Sequence, residues 1–203
     1  ADVSNYVRSD SALDGEALKR GTSVYFPGSV IPMLPKRLSN GICSLNPNVD
    51  RLALSCVMHI SPQGEVRDYR IFKSVIRSRE RLVYEDINRL LDGDIKLAER
   101  YSHIYDELIL MKELADILRK RRMAAGSIDF NAPEAEFTLD EEGRAIDVRV
   151  HERGISNMVI EEFMLVCNQT VARHMRINRL PAVYRVHEKP EKSKKVLRKE
   201  RKT

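Results

Sequence analysis

Along residues 52–60, leucine, cysteine, methionine and isoleucine alternate with smaller or polar residues. A period of two is typical of a strand with one buried face. A glycine-containing turn follows, and residues 65–78 are expected to return as the second strand of a hairpin. A second hairpin is expected from 136–139 and 144–150, and the β-branched, aromatic run at 22–26 predicts a shorter strand.

Other apolar residues recur at three- and four-residue steps, which is typical of helices that bury one stripe. The helices are expected at 11–20, 84–91, 94–122 and 156–177. Ser11 can cap the first helix and Gly21 can end it. A strand at 182–187 and a helix at 190–202 are expected near the C-terminus. Hairpins and helices in this irregular order predict an α+β fold, with a mixed strand core wrapped by helices.

Residues 21–45 interrupt the regular pattern with three prolines and three glycines among large apolar residues. Proline fixes φ and lacks a backbone donor, so this segment cannot form a helix or a central strand. An apolar loop of this kind is either a buried connection between two elements or a shaped binding surface. Composition alone leaves both interpretations open.

Composition is that of a globular protein with room for a real core. The chain has 203 residues, of which 42% are hydrophobic and 32% charged, and this length suits one domain. No apolar run reaches the ~18 residues that a membrane span needs, so no membrane partner is expected. The three cysteines lie far apart and form no C-x-x-C pair. This argues against a disulfide framework or a zinc site and favours a cytoplasmic protein.

The net charge of +5 is concentrated at the C-terminus. Residues 189–203 hold eight Lys or Arg and two acidic residues, a net of +6, so the preceding 188 residues carry a net charge of −1. We therefore divide the chain into a domain at 1–188 and a basic, helical segment at 189–203. The segment can attract RNA through its charge, or it can be a solvated helix or a cut end.

The helix expected at 156–177 is apolar almost all round, so it is expected to be buried, and two adjacent acids lie within it. A carboxylate is costly there unless it is paired or hydrogen-bonded, so Glu161 and Glu162 need an explanation. Glu161 shares a narrow polar line with Asn157 and Asn168, and this line could face a cavity. The alternative is an internal salt bridge.

Tyr25 is the second candidate for a functional contact. It lies on a short predicted strand that enters the proline-containing loop. An aromatic ring in such a place can stack on a nucleic-acid base, which is worth ~1–3 kcal/mol per base and tolerates any sequence. The alternative is an ordinary core tyrosine.

Four stretches of the chain carry a resemblance to a known family. They read R-G-T-S-V-Y-F-P-x-x-V-I-P-M-L-P-x-x-L-S-N-G-I-C-S-L-N-P at 20–47, D-R-L-A-L-S at 50–55, I-S-x-x-V-I-E-E-F-M-L-V-C-N at 155–168 and P-A-V-Y-R-V-H-E at 181–188. In the residues of these motifs and in their order, the chain resembles the catalytic (RNB) domain of the ribonuclease II / ribonuclease R family of 3′→5′ exoribonucleases. The resemblance covers nearly the whole chain and is closest to the ribonuclease R branch.

The resemblance implies a strand core wrapped by helices around a channel for single-stranded RNA. Glu161 matches the first glutamate of the family's I-E-E motif and would position the reacting RNA end near the active site. Tyr25 would stack near the RNA 3′ end. Phe130, from the segment before the second hairpin, would be its partner aromatic. No DNA partner is implied, and the intact parent is expected to be a monomer.

The resemblance also implies that parts of the active site are missing. The family places a metal-binding aspartate cluster just before its A-D-V-S motif and an arginine-rich motif after its Y-R-V-H-E motif. This chain starts at the A-D-V-S motif and ends shortly after the Y-R-V-H-E motif, so we expect both of these parts of the active site to lie outside it. We therefore expect the central part of a processive, Mg²⁺-dependent exoribonuclease that releases nucleoside 5′-monophosphates. The 203 residues themselves should be inactive and hold no metal, since Asp2 alone is a weak metal candidate. The alternative is a non-catalytic RNA-binding or protein-interaction module.

Overall fold

A computed structural model of the chain describes residues 1–127, 134–140, 142–151 and 153–184. The helices are α1 (Ala12–Arg20), α2 (Tyr84–Leu91), α3 (Ile95–Arg100), α4 (Tyr105–Ala124) and α5 (Ile155–Ile177). The strands are β1 (Val24–Phe26), β2 (Ser29–Ile31), β3 (Asp50–Ile60), β4 (Val66–Arg77), β5 (Glu134–Leu139) and β6 (Ala145–His151). They pair antiparallel in three separate two-stranded sheets, β1–β2, β3–β4 and β5–β6. The predicted α+β class is confirmed.

Helix α1 begins and ends at the residues that the sequence predicts. The Ser11 hydroxyl accepts a hydrogen bond from the backbone N–H of Asp14 at 3.2 Å, which satisfies one free amide of the first turn. At the other end Gly21 adopts φ +69°, and its N–H donates to the Ala17 carbonyl at 2.9 Å. A glycine takes this left-handed conformation without the steric cost of a side chain.

The β3–β4 hairpin forms as predicted but leaves much of its apolar surface exposed. Cys56 and Met58 are half-buried on one face, where Met58 Sδ lies 3.4 Å from Thr170 Oγ1 of α5. Leu54 and Val75 lie on the same face, and each is 63% exposed. The expectation of one buried face is therefore wrong for the part of the hairpin around Leu54 and Val75, because the contact with α5 is made further along, at Met58.

The helix predicted at 94–122 is interrupted. The chain instead forms α3, a short 3₁₀ turn at Ser102–Ile104, and α4. Tyr101 is buried at the break, and its hydroxyl donates to Asp86 Oδ2 at 3.0 Å, which ties the break to α2. Burial, followed by the hydrogen bond to Asp86, raises the pKa of Tyr101. A continuous helix is the wrong expectation because this tertiary contact fixes a non-helical backbone at Tyr101.

The main buried apolar cluster lies among helices and not between strands. Its members are Ile87, Leu90, Leu97, Tyr101 and Leu108. A cavity of about 250 Å³ opens beside it and is lined mainly by apolar side chains of α2, α4 and α5 and of the segment before α2. Helix packing thus provides the interior on which α5 rests. In the described part of the chain, the helices lack the combination of length and apolarity needed to cross a bilayer.

Residues 21–45 form an exposed hairpin and then a short π-helix at Arg37–Ile42. The expectation that this segment cannot form a helix is wrong there, because all three prolines precede the π-helix. Strands β1 and β2 pair with Tyr25 opposite Val30, and their six residues are all exposed. Gly28 adopts φ +72° in the turn, and a Cβ at this position would lie 2.7 Å from Leu139 Cδ1 of β5. The turn therefore lies against β5, and the hairpin is not a buried connection.

The chain divides into two compact units, residues 1–170 and 171–203. The first unit contains the described strands, helices α1 to α4 and most of α5. In the second unit the structure describes 171–184, where the N–H of Leu180 donates to the Met175 carbonyl at 2.9 Å and ends the helix.

Three C-terminal predictions reach beyond the described residues. The strand expected at 182–187 does not begin within 182–184, which the structure describes without regular secondary structure. Its remaining residues lie outside the described chain, as do the helix at 190–202 and the whole basic segment at 189–203. The division of the chain at residue 188 stays a prediction.

The start of α5 is fixed by a side chain from α2. Asn88 Oδ1 accepts a hydrogen bond from the Ser156 backbone N–H at 2.9 Å and lies 2.8 Å from the Ser156 hydroxyl. Gly154 makes this possible, because a Cβ there would collide with the Asn88 amide group. Asn88 therefore caps α5 across a tertiary contact, in the way that a local side chain usually caps a helix.

Replacing Asn88 with alanine should lower the free energy of unfolding by about 1–2 kcal/mol, because it removes the acceptor for the first turn of α5. Asn88→Asp keeps an oxygen there, and its negative charge is favourable at a helix N-terminus, so this variant should unfold close to the wild type. Urea denaturation followed by circular dichroism measures both. Equal losses for the two variants would contradict the capping role.

Candidate functional site

Glu162 forms a buried ion pair between α5 and the end of α4. The residue is 2% exposed. Arg122 donates to its carboxylate from Nη2 to Oε1 at 2.5 Å and from Nε to both oxygens, Oε1 at 3.1 Å and Oε2 at 3.2 Å. This two-pronged geometry is the strong form of an arginine–carboxylate contact. An internal salt bridge, which the sequence offers as the alternative for Glu161, therefore forms at the neighbouring Glu162.

Glu161 lies in the same cluster but keeps part of its carboxylate accessible. Its side chain is 28% exposed. Arg122 Nη2 lies 3.7 Å from Oε1, and the guanidinium of Arg153 pairs with Oε2. The carboxylate is therefore held between two cations, one from the end of α4 and one from the segment just before α5. We call Arg122, Arg153, Glu161 and Glu162 the ion-pair cluster.

The two acids of the ion-pair cluster differ in what they can do. Glu162 is buried beneath Arg122, whereas Glu161 pairs with two guanidinium groups and keeps part of its carboxylate accessible. A partly exposed carboxylate can still accept hydrogen bonds from hydroxyl groups. Glu161 is therefore suited to orienting a ligand that carries hydroxyl donors.

The described residues contain no group of three or more His, Cys, Asp or Glu arranged to hold a metal ion. Asp2 does not supply such a site: its carboxylate accepts the Ser4 hydroxyl at 2.6 Å and lies 3.6 Å from Lys73 Nζ. The Ser4 hydrogen bond, with a further contribution from the positive charge of Lys73, lowers the pKa of Asp2. Metal-assisted phosphodiester hydrolysis needs clustered carboxylates, so the described residues do not fit a Mg²⁺ centre.

Tyr25 is presented to solvent on β1 and is 77% exposed. The neighbouring Phe26 and the opposite Val30 are also exposed. Tyr25 is therefore not a core tyrosine, and its ring is free of a packing role that would compete with a ligand. Base stacking by Tyr25 stays a prediction.

The predicted site residues that the structure describes lie on different elements. Glu161 belongs to the ion-pair cluster on α5, whereas Tyr25 lies on the β1–β2 hairpin. Phe130 lies outside the described residues. A clamp of two aromatic rings is therefore neither supported nor contradicted by the described residues.

Sequence reasoning missed the two arginines of the cluster. Arg122 belongs to the basic run at 119–122, whose positive charge is favourable at a helix C-terminus without any further partner. The signal was nevertheless present, since two adjacent acids in an apolar helix require cations from elsewhere in the chain. Arg122 was the available donor at the end of the preceding helix.

Helix α5 is less buried than its apolar sequence predicts. Ile160 and Met164 are about half exposed. Val159 is buried, and together with Ile160 it lines the cavity beside α2 and α4. The expectation of a helix buried all round is wrong, because the described neighbours cover α5 on one side only.

Comparison with known proteins gives this arrangement a family. The model of the RNB domain matches residues 1–200, so the chain belongs to the RNB domain family. The chain is 50% identical over 190 residues to ribonuclease R 1 of Lactococcus lactis, which covers 94% of this chain and 23% of that protein. The chain thus spans less than a quarter of that relative's length. The 50% identity confirms the predicted likeness to the ribonuclease R branch.

Solved structures agree with the sequence comparison. RNase R of Mycoplasma genitalium, in complex with ribose methylated single-stranded RNA, matches with a TM-score of 0.87 and 32% identity. That match covers 97% of this chain and 30% of the solved chain. The same protein in complex with double-stranded RNA also gives a TM-score of 0.87, with 32% identity over 97% of this chain and 35% of the solved chain.

Replacing Glu162 with glutamine should lower the free energy of unfolding by about 3 kcal/mol, because Arg122 then loses its closest buried counter-charge. Glu161→Gln is a matched control, since the same chemical change occurs one residue away at a partly exposed position. It should cost less than about 1 kcal/mol. Chemical denaturation of both variants measures the difference, and equal losses would contradict the structural role assigned to Glu162.

Proposed function

We propose that the chain is the central, RNA-contacting part of a processive 3′→5′ exoribonuclease that hydrolyses single-stranded RNA to nucleoside 5′-monophosphates. The RNB domain match over residues 1–200 carries the proposal. Within that match, the one partly exposed carboxylate of the ion-pair cluster is Glu161, which stands at the first glutamate of the I-E-E motif.

In this proposal Glu161 positions the reacting RNA end. A fixed carboxylate accepts hydrogen bonds from hydroxyl groups and repels phosphate, so it distinguishes a terminal hydroxyl from a terminal phosphate. Tyr25 stacks on a base near the same end, and its exposed ring is consistent with contact to any base. Phe130 is the proposed second aromatic contact.

Ribonucleases of the RNB family generally depend on a divalent metal ion. We propose that Mg²⁺ serves the intact parent and is not held by this chain. The support is that Glu161 and Glu162 pair with arginines and that the described residues form no metal-binding group of His, Cys, Asp or Glu. The remaining catalytic residues would then belong to the longer protein, of which the chain spans 23% in the case of the Lactococcus relative.

The proposed partner is single-stranded RNA, with neither DNA nor a membrane as a target, and the parent is proposed to be a cytoplasmic monomer. The solved Mycoplasma RNase R complexes contain single- and double-stranded RNA, which supports RNA as the partner class. Contact through the exposed aromatic Tyr25 favours single strands, since the bases of a duplex are not available for stacking on a side chain.

A second candidate function is a non-catalytic RNA-binding or protein-interaction module. The observation that favours it is the lack of a metal-binding carboxylate group among the described residues. The basic segment at 189–203 would then be the main RNA contact. Deleting residues 189–203 distinguishes the two candidate functions. If the shortened chain still binds RNA with nearly unchanged salt dependence, the main RNA contact is not in the basic segment, and the second candidate function is contradicted.

The chain alone, incubated with Mg²⁺ and a 5′-labelled single-stranded RNA, should release no mononucleotides while still binding the RNA. Gel electrophoresis and fluorescence anisotropy measure the two properties on the same sample. Hydrolysis by the 203 residues would contradict the proposal that the metal site lies elsewhere. Failure to bind RNA would contradict the proposed function itself.

Replacing Tyr25 with alanine should weaken the binding of single-stranded RNA about tenfold, since stacking on one ring is worth ~1–3 kcal/mol. Tyr25→Phe keeps the ring and should bind like the wild type. Leu18→Ala, which removes another exposed apolar side chain on α1, is the control and should change nothing. Anisotropy titrations measure the affinities. Equal RNA affinity of Tyr25→Ala and the wild type would contradict the stacking role of Tyr25.

A further inference from the structure

We propose that Arg122 is a positioning residue that orients Glu161 toward the RNA end. The inference rests on the proposed function of Glu161 and adds a residue that acts through it. Arg122 does not need to touch RNA in this scheme. It holds the carboxylate that does.

Arg122 is placed for this because one guanidinium contacts both acids. Its Nε–H donates to Glu162 Oε2 at 3.2 Å, and its Nη2 donates to Glu162 Oε1 at 2.5 Å. The same Nη2 lies 3.7 Å from Glu161 Oε1. The guanidinium places Nε and Nη2 on the Glu162 carboxylate together, which fixes its orientation, whereas a lysine ammonium is a single point charge.

The anchor in this arrangement is Glu162, which is nearly fully buried. Because its carboxylate cannot move into solvent without breaking the pair, it fixes the plane of the Arg122 guanidinium. The fixed guanidinium then meets one oxygen of Glu161, and Arg153 meets the other. Both oxygens of Glu161 are therefore oriented before any ligand arrives, which reduces the side-chain entropy that binding would otherwise cost.

A purely structural role is the competing explanation, since Arg122 also joins α4 to α5. The two roles differ in what they predict when Glu161 is already absent. A positioning residue acts through Glu161, so its removal should have no further effect on RNA recognition in a Glu161→Gln background. A structural residue should change stability, and any effect on RNA should be the same in both backgrounds.

The experiment uses the full 203-residue chain and two versions of one 5′-fluorescein oligoadenylate, ending in a 3′-hydroxyl or in a 3′-phosphate. The measured quantity is the ratio of the two dissociation constants, which cancels general effects of stability. Since the 3′-phosphate carries extra negative charge, the effect of protein charge on the ratio is controlled by Arg122→Lys, which keeps the charge, and by Arg121→Met, which removes the same charge one residue away. We expect the wild type to prefer the hydroxyl end about tenfold, the value of one hydrogen bond to a charged group. Glu161→Gln should bring the ratio close to one.

Arg122→Met should lower the ratio nearly as far as Glu161→Gln does, and the double variant should be no lower than Glu161→Gln alone. Arg122→Lys keeps the charge but not the fork, so its ratio should fall between those of Arg122→Met and the wild type. If Arg122→Met does not fold, Arg122→Lys still tests the proposal, because a wild-type ratio in that variant would contradict it. Arg121→Met is the control, because it removes the same charge from the neighbouring position, where the guanidinium bonds the Gly64 carbonyl. Its ratio should equal that of the wild type.

The outcomes separate the two proposals. An unchanged ratio in Glu161→Gln, or no preference in the wild type, overturns the function proposed for Glu161. A reduced ratio in Glu161→Gln with wild-type ratios in both Arg122 variants overturns the positioning role alone. Equal effects of Arg122→Met in the presence and absence of the Glu161 carboxylate also overturn it, since Arg122 would then act independently.

Discussion

The ion pair between Arg122 and Glu162 is the contact on which the candidate site depends. A carboxylate as buried as Glu162 is tolerated only with an opposite charge and satisfied hydrogen bonds, and the fork of Arg122 provides both. Helix α5 can therefore carry two adjacent acids only while the last turn of α4 stays in place. The burial of one glutamate and the accessibility of the next are two results of the same arrangement, because consecutive helical residues point ~100° apart.

The hairpins are governed by a different constraint. Each is a two-stranded sheet, and two strands cannot cover their own apolar faces, so side chains such as Leu54, Tyr25 and Val148 remain exposed. Contiguous exposed apolar surface commonly marks a place where another molecule or further chain binds. The helical part of the structure, in contrast, buries its own cluster around Leu90. The fold thus combines a self-sufficient helical interior with ribbons that present side chains outward.

Local signals predicted the elements well, and contacts between distant residues explain the failures. The cap at Ser11, the period of two along β3 and the apolar run of α5 each depend on a few neighbouring residues. The break at Tyr101 was not predictable in this way, because its cause is a hydrogen bond to Asp86 on another helix. For the candidate site, the cost of burying acids and the family motif drew attention to Glu161. The residues that hold it come from another helix and from a separate loop, and no local periodicity points to them.

The cap that Asn88 places on α5 has a consequence for how the chain can vary. Because hydrogen bonds tie Ser156 to Asn88 of α2, the number of residues between Ser156 and Glu161 determines where Glu161 lies on the helix surface. Glu161 follows at a fixed distance of roughly 7–8 Å along the helix axis, at 1.5 Å per residue. One residue inserted between Ser156 and Glu161 would turn Glu161 by ~100° into the buried position of Glu162, and one residue deleted would bring Glu162 into the position of Glu161. In either case only one of the two acid positions beside Arg122 would still hold a glutamate. The length of this short stretch is therefore as strongly constrained as its composition.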